Sequence, residues 1–301
     1  MKKNILLLVA LLGAMVWTGC ENLEEPVIND NPGTRTCWTL TVEANINADT
    51  KALSLDENTL TAYWKKTEIV KVYKGASSIG TLSVTPDSQN NKKATLTGTL
   101  NVSGISLNDE LMLIIPNVAG DTWSYLGQNG TLKTVSEQYD IATAKVKVTD
   151  VNTEAGTLET EVARFNNEQS IYRFGFKEKT GDVLATTNLK VSRFILSSSV
   201  NKLVQTVSYN GQWASSAWGE LTVKPSSATD DFLYVALRHD GSTTDDSFHF
   251  MVFDKDGALY QGDKTIPSAY LENAKFLSAK NVAVSKATVQ QGTQNVATEV
   301  W

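Results

Sequence analysis

Two stretches decide the fold: Trp38-Thr39-Leu40-Thr41-Val42-Glu43-Ala44 (WTLTVEA) and Ala94-Thr95-Leu96-Thr97-Gly98-Thr99-Leu100-Asn101-Val102 (ATLTGTLNV). Each alternates apolar and polar residues. Successive strand side chains point to opposite faces, so such a run puts its apolar set on one side of a sheet. Six more runs rich in Val, Ile, Tyr and Phe follow: Glu68–Tyr73, Leu111–Ile115, Ile171–Lys177, Leu189–Leu196, Phe232–Leu237 and Phe248–Phe253. Asn129-Gly130, Asn210-Gly211 and Asp256-Gly257 are tight-turn signals between them. Many short strands with close turns predict an all-β, sandwich-type protein. One stretch, Leu132 to Ala144, has Leu132, Val135, Tyr139 and Ala142 at helical spacing and reads either as a short helix or as an irregular loop.

The chain has 301 residues, and 41% of them are apolar, enough for a sizeable core. Its net charge is −6, and no basic cluster is present, which argues against nucleic acid as a partner. Polar residues from Asp150 to Gly156 separate two sets of strand patterns. The expected division is a leader over 1–19, a tether over 20–36, one β-sandwich over 37–155 and a second over 156–301.

At the start, Lys2 and Lys3 precede an apolar run from Ile5 to Trp17, and then Thr18, Gly19 and Cys20. This is the layout of a secretory signal peptide, too short to cross a bilayer as a helix. Losing the two lysines with the leader takes the net charge to −8. Small residues before Cys20 resemble the lipobox of bacterial lipoproteins, although Trp17 stands where leucine is usual. That resemblance implies that the Cys20 thiol carries diacylglycerol, that the chain is cut before it, and that the new amine is acylated. Several acyl chains give stable anchoring. Glu21, Glu24 and Glu25 directly follow and resemble the acidic tether that sends Bacteroidetes lipoproteins to the outer face of the outer membrane; a solvated linker is the other reading. Cys37 then stands alone, as a buried small hydrophobe, a free thiol or one half of an intermolecular bond.

Enzyme signatures are lacking. His239 stands beside Asp240, but no Gly-x-Ser-x-Gly elbow surrounds any serine. Asp245, Asp246, Asp254 and Asp256 suggest calcium, yet Asp254-Lys255-Asp256-Gly257 reads as a hairpin turn without the later glutamate of an EF-hand. No zinc spacing, phosphate loop or dinucleotide fingerprint occurs. We expect no catalytic, metal or cofactor site. Tyr209, Trp213 and Trp218 form the one aromatic group that suits sugar stacking, and packing on the second sandwich is the alternative for Trp213 and Trp218.

Several segments in order resemble the fimbrillin-like family. Thr50-Lys51-Ala52 leads to Trp64 and then Ile69-Val70-Lys71-Val72-Tyr73, with Thr67-Glu68 where the family has Gly-Asp. Ile115-Pro116 is followed by Gly127-Gln128-Asn129-Gly130-Thr131-Leu132 and Tyr139-Asp140-Ile141-Ala142-Thr143-Ala144. Phe165 with Ile171–Phe176, Tyr260-Gln261-Gly262 and Val282–Lys286 continue the match across nearly the whole chain. The resemblance implies two transthyretin-like antiparallel β-sandwich (Greek-key) domains in tandem. It implies a structural, adhesive subunit of the lipoprotein-derived fimbriae of Bacteroidales, held to outer-membrane lipid through Cys20 or released into a fimbria. Other subunits would join it by strand addition, and a host or bacterial surface ligand is a further expected partner. Protease processing in that family points to Arg35, the only arginine before Arg164; an incidental linker arginine is the other reading. The strand at Trp38 lies beyond that cut and would stay. The terminal run QNVATEVW is a candidate donor, with Val296, Thr298 and Val300 on one face and Trp301 on the other, unless it pairs within its own domain. The competing reading is a monomeric surface lipoprotein that binds a glycan or host ligand.

Overall fold

A computed structural model describes residues 35–46, 54–56, 59–115, 120–200, 203–241 and 244–287. Cys20 and the candidate donor residues Val296, Thr298, Val300 and Trp301 lie outside them. Within the described residues the chain is all-β, and no helix is long and apolar enough to cross a membrane.

The first eleven strands are β1 (Cys37–Ile46), β2 (Ser54–Asp56), β3 (Thr59–Thr61), β4 (Ile69–Lys74), β5 (Ser77–Pro86), β6 (Lys93–Asn101), β7 (Glu110–Ile115), β8 (Thr122–Ser124), β9 (Ala142–Asn152), β10 (Thr157–Thr160) and β11 (Ala163–Asn167). The alternation that opens the sequence holds. In β1, Trp38, Leu40, Val42, Ala44 and Ile46 are buried, and Thr39, Thr41 and Glu43 are exposed. Strand β1 pairs antiparallel with β6 over nine residues, from Cys37 opposite Asn101 to Asn45 opposite Lys93. Its other edge runs parallel to β10 and then β11, and both of these pair with β9. With β6–β5, β5–β4, β4–β7 and β7–β9 pairings, the hydrogen bonding runs in a ring. The sequence predicts sheets stacked face to face; here one sheet closes on itself, because β1 is paired on both sides. Closure removes the free edges. Trp64 packs edge-on against Phe165 inside, with ring centroids 5.3 Å apart. The strands after residue 156, β10 and β11, are part of this ring.

The remaining strands are β12 (Ser170–Thr180), β13 (Val183–Leu184), β14 (Val191–Ser198), β15 (Leu203–Tyr209), β16 (Trp213–Gly219), β17 (Leu221–Val223), β18 (Leu233–Leu237), β19 (Asp246–Asp254), β20 (Leu259–Ile266) and β21 (Phe276–Lys286). All of them except β15 and β16 form a second sheet in the order β12-β21-β20-β19-β14-β17, with β18 and the two-residue β13 on the other edge of β12. Residues Ser170 to Phe176 are all buried, the signature of a strand covered on both faces. Phe174, Phe176, Phe194 and Phe250 fill the core as mutually tilted rings, 5.0 to 6.3 Å apart.

The segment with helical spacing forms one helical turn, α1 (Leu132–Thr134), and a π-turn over Val135–Tyr139, and then becomes strand β9 at Ala142. Thr131 caps α1 by accepting from Thr134 N–H at 3.1 Å. Asp256-Gly257 and Asn210-Gly211 connect the β19–β20 and β15–β16 hairpins as predicted. Asn129-Gly130 instead leads into α1, because its neighbours bond to other strands.

Candidate functional site

A third sheet joins the two halves of the chain. Strand β8, from the first half, pairs with β15 of the β15–β16 hairpin: Trp123 faces Val207, and Ser124 faces Thr206. Beneath it lies one apolar cluster drawn from both halves, with Tyr73, Ile114, Trp123, Tyr125, Val135, Tyr139 and Ile141 against the interior of the second sheet.

Gln128 makes the second connection. Its side chain is buried and behaves like a short piece of strand at the open edge of β18. Nε2 donates to Ala236 C=O at 2.9 Å, and Oε1 accepts from Ala236 N–H at 2.8 Å. The backbone beside it reaches both ends of the second sheet, since Lys224 N–H donates to Gln128 C=O and Tyr234 N–H to Gly130 C=O. Lys224 directly follows β17, and Tyr234 belongs to β18. Gly130 is required here: its φ is +78°, and a Cβ would lie 2.7 Å from Leu233. The motif Gly127–Leu132 is therefore a plug between the halves.

An ion pair makes the third. Arg238, at the end of β18, contacts Glu168 at 2.6 Å, and Thr143 Oγ1 donates to the same carboxylate at 2.6 Å. Arg238 also stacks over the Trp213 ring at 5.2 Å. Both charged side chains are mostly buried.

Trp213 and Trp218 have different surroundings. Trp213 packs between Trp123 and Tyr209, at 5.2 and 5.3 Å. Trp218 is 46% exposed, and its Nε1 donates to Asp240 at 3.1 Å. Ser215 Oγ donates to the other oxygen of Asp240 at 2.6 Å. Asp240 thus serves the β16 hairpin and makes no hydrogen bond to its neighbour His239. His239 instead lies 3.0 Å from Tyr172 Oη, which donates to Tyr270 C=O. Tyr172 has one hydroxyl proton, so His239 Nε2 must carry the hydrogen between them. Burial pushes His239 down to about 4, against a smaller opposing pull from Asp246 and Asp240. Asn273 clasps the His239 backbone, accepting from its N–H and donating to its C=O.

The aspartates singled out for calcium hold loops. Asp254 accepts from the N–H groups of Asp256 and Ala258. Asp245 accepts from Ser268 N–H, and Asp246 is bound by Ser198, Ser199 and two backbone N–H groups. Near β8, Asp121 accepts from Lys71 and Tyr73. The Tyr73 hydrogen bond lowers the Asp121 carboxyl, while burial and the same bond raise the Tyr73 hydroxyl.

Arg35 lies at the entrance to β1. Its guanidinium donates to Thr153 C=O at 2.7 Å, Glu154 C=O at 3.4 Å and Cys37 C=O at 3.0 Å, and lies 5.7 Å from the Trp38 ring centre. Cys37 is half-buried next to it. Sequence reading placed Arg35 in a linker and missed this receptor, the turn between β9 and β10, because no local pattern reports a contact across 118 residues.

Neither a family model nor a curated protein sequence matches this chain. Among solved structures, it is similar to proteins provisionally assigned to cell adhesion from Bacteroides uniformis and Bacteroides eggerthii. The first is 11% identical, with a TM-score of 0.42, over 74% of this chain and 84% of that one. The second is also 11% identical with a TM-score of 0.42, over 85% and 88%. A fimbrial assembly protein from Parabacteroides distasonis is 9% identical with a TM-score of 0.41, over 80% and 90%. These structural neighbours are Bacteroidales cell-adhesion and fimbrial proteins.

Proposed function

We propose that this chain is a non-enzymatic structural subunit of a cell-surface fimbria that contributes to adhesion. In this reading it is exported as an outer-membrane lipoprotein through Cys20 and adopts two transthyretin-like units. A protease cuts it after Arg35, and subunits join by strand exchange, with Gln294–Trp301 as donor. The observation that carries the reading is the position of Arg35, between the lipid-attachment motif and the first residue of β1. A cut there frees the body from its anchor and leaves the whole fold in place. Because β1 is paired along both edges, the cut does not open the first sheet, so an added strand would need another acceptor.

N-terminal sequencing of surface filaments tests this. A new terminus at Thr36 supports it, and an intact acylated Cys20 in assembled material overturns the processing step. Deleting 294–301 should abolish polymer and leave a folded monomer; loss of folding would reject the donor assignment.

The exposed indole of Trp218 favours a second reading, a monomeric lipoprotein that binds a glycan. Saturable binding by a monomer, lost in Trp218→Ala and also in Trp213→Ala, would select it.

A further inference from the structure

Strand β16 is bonded along one edge only, to β15, and among the described residues no backbone hydrogen bond reaches its other edge. A seven-residue edge is normally covered by another segment or carries charge or proline that blocks another chain. Elsewhere this protein follows that rule: Gln128 occupies the edge of β18, and β20 carries Asp263 and Lys264 past its pairing with β21. The residues of β16, WASSAWG, have neither safeguard.

The strand is also self-complementary. Trp213 to Trp218 reads WASSAW in both directions. Antiparallel pairing about an axis between Ser215 and Ser216 sets Trp213 opposite Trp218 and Ala214 opposite Ala217. In a regular strand those partners would project to opposite faces, because their numbers differ by an odd count. The observed irregularity removes that mismatch. The register slips at Ser216, so Ala214 faces Ser208 and Ala217 faces Thr206, both on one side of the sheet. Trp213, Ser215 and Trp218 turn to the other side, where Arg238 stacks on Trp213 and Asp240 accepts from Ser215 and Trp218. The tryptophans thus meet on one face and the alanines on the other, while Ser215 and Ser216, which project to opposite faces, flank the axis. The outer face of the sheet carries Thr122, Ser124, Thr206, Ser208, Ala214 and Ser216, with no charge to repel a copy of itself.

We propose that the free edge of β16 pairs antiparallel with β16 of a second copy of this chain, making a two-fold dimer with a continuous six-stranded sheet. Trp218 supplies the apolar area that the pairing covers, and backbone hydrogen bonds along the edge supply the rest. The interface is independent of leader processing and of the terminal donor.

Sedimentation of the full chain across a concentration series should show a monomer–dimer equilibrium. Ser216→Lys places two ammonium groups beside the axis and should give a monomer at every concentration. Ser215→Cys should yield a disulfide-linked dimer on mild oxidation beyond any that the parent chain forms. A parent chain that stays monomeric up to about millimolar concentration overturns the proposal, as does a Ser216→Lys dimer unchanged from the parent. If Ser216→Lys fails to fold by circular dichroism, the Ser215→Cys cross-link decides, and its absence overturns the pairing.

Discussion

The guanidinium of Arg35 lies against the α-carbon of Gly156, so closely that a side chain at 156 would collide with it. Gly156 has φ +69° and passes its own carbonyl to Thr39 N–H in β1. The turn between β9 and β10 therefore holds both the arginine and the strand that follows it. Just beyond, Thr36 C=O accepts from Val102 N–H at 2.8 Å. A trypsin-like protease must draw an arginine into its own pocket and bind the flanking chain extended, which requires breaking these contacts. Gly156→Ala should expel Arg35 and raise the rate of tryptic cleavage after it by roughly tenfold or more, about 1.4 kcal/mol of lost docking. Intact mass spectrometry of timed digests reads the rate. An unchanged rate with the fold retained would mean that docking does not guard the bond.

Gln128 replaces a strand at the edge of β18, and both of its amide atoms bond to Ala236. Gln128→Ala leaves a buried N–H and C=O without partners, at a cost of about 2–4 kcal/mol. Gln128→Glu keeps the acceptor, but as a carboxylate it faces the Ala236 and Tyr125 carbonyls without a proton to give them. Urea unfolding should show both variants well below the parent, with Gln128→Glu regaining stability at low pH where its carboxyl can donate. Equal stability of all three chains would show that the plug is dispensable.

These contacts explain what could be read from the sequence. The β1 and β6 alternation was legible because a half-buried strand writes its exposure into every second residue. The same rule holds in Phe248–Phe253, whereas Ile171–Lys177 was legible from its Ile, Tyr and Phe content, being buried on both faces. Ring closure was not legible, because the partner of β1 is set by packing over long separations. Gln128 stood inside a recognisable motif, yet its turn-like spacing hid a role that depends on β18, 108 residues away. Trp213 and Trp218 have the same spacing signal and differ only in what covers them.

His239 gives the fold a pH dependence that can be separated from its carboxylates. Its folded value of about 4 lies below the ordinary 6.5, so the unfolded chain takes up the proton first as pH falls. The contribution is complete above about pH 6.5 and is lost progressively down to about pH 4, amounting to about 3 kcal/mol. Asp121 and Asp246 are lowered from 3.8 and act only below that window. Urea midpoints between pH 7 and 4 should fall steadily in the parent. In His239→Gln the slope should flatten, whatever its absolute stability; a parallel slope would place the titration elsewhere.

Arg238 and Glu168 form a mostly buried pair between the halves, and the two removals should not be additive. Arg238→Met leaves the Glu168 carboxylate with Thr143 as its only hydroxyl donor among the described residues, in a low-dielectric seam, at a cost of about 3–5 kcal/mol. Glu168→Gln leaves the guanidinium over Trp213 with Asp240, which is 3.7 Å away and half-exposed, so its loss should be smaller. With both changed, no buried charge lacks a counterion, and the methionine can pack on the Trp213 ring. The double variant should therefore be more stable than Arg238→Met alone, with a coupling of about 1–3 kcal/mol in a cycle of urea-unfolding free energies. Coupling near zero would mean that Arg238 acts through stacking on Trp213 and that the ion pair contributes little to joining the halves.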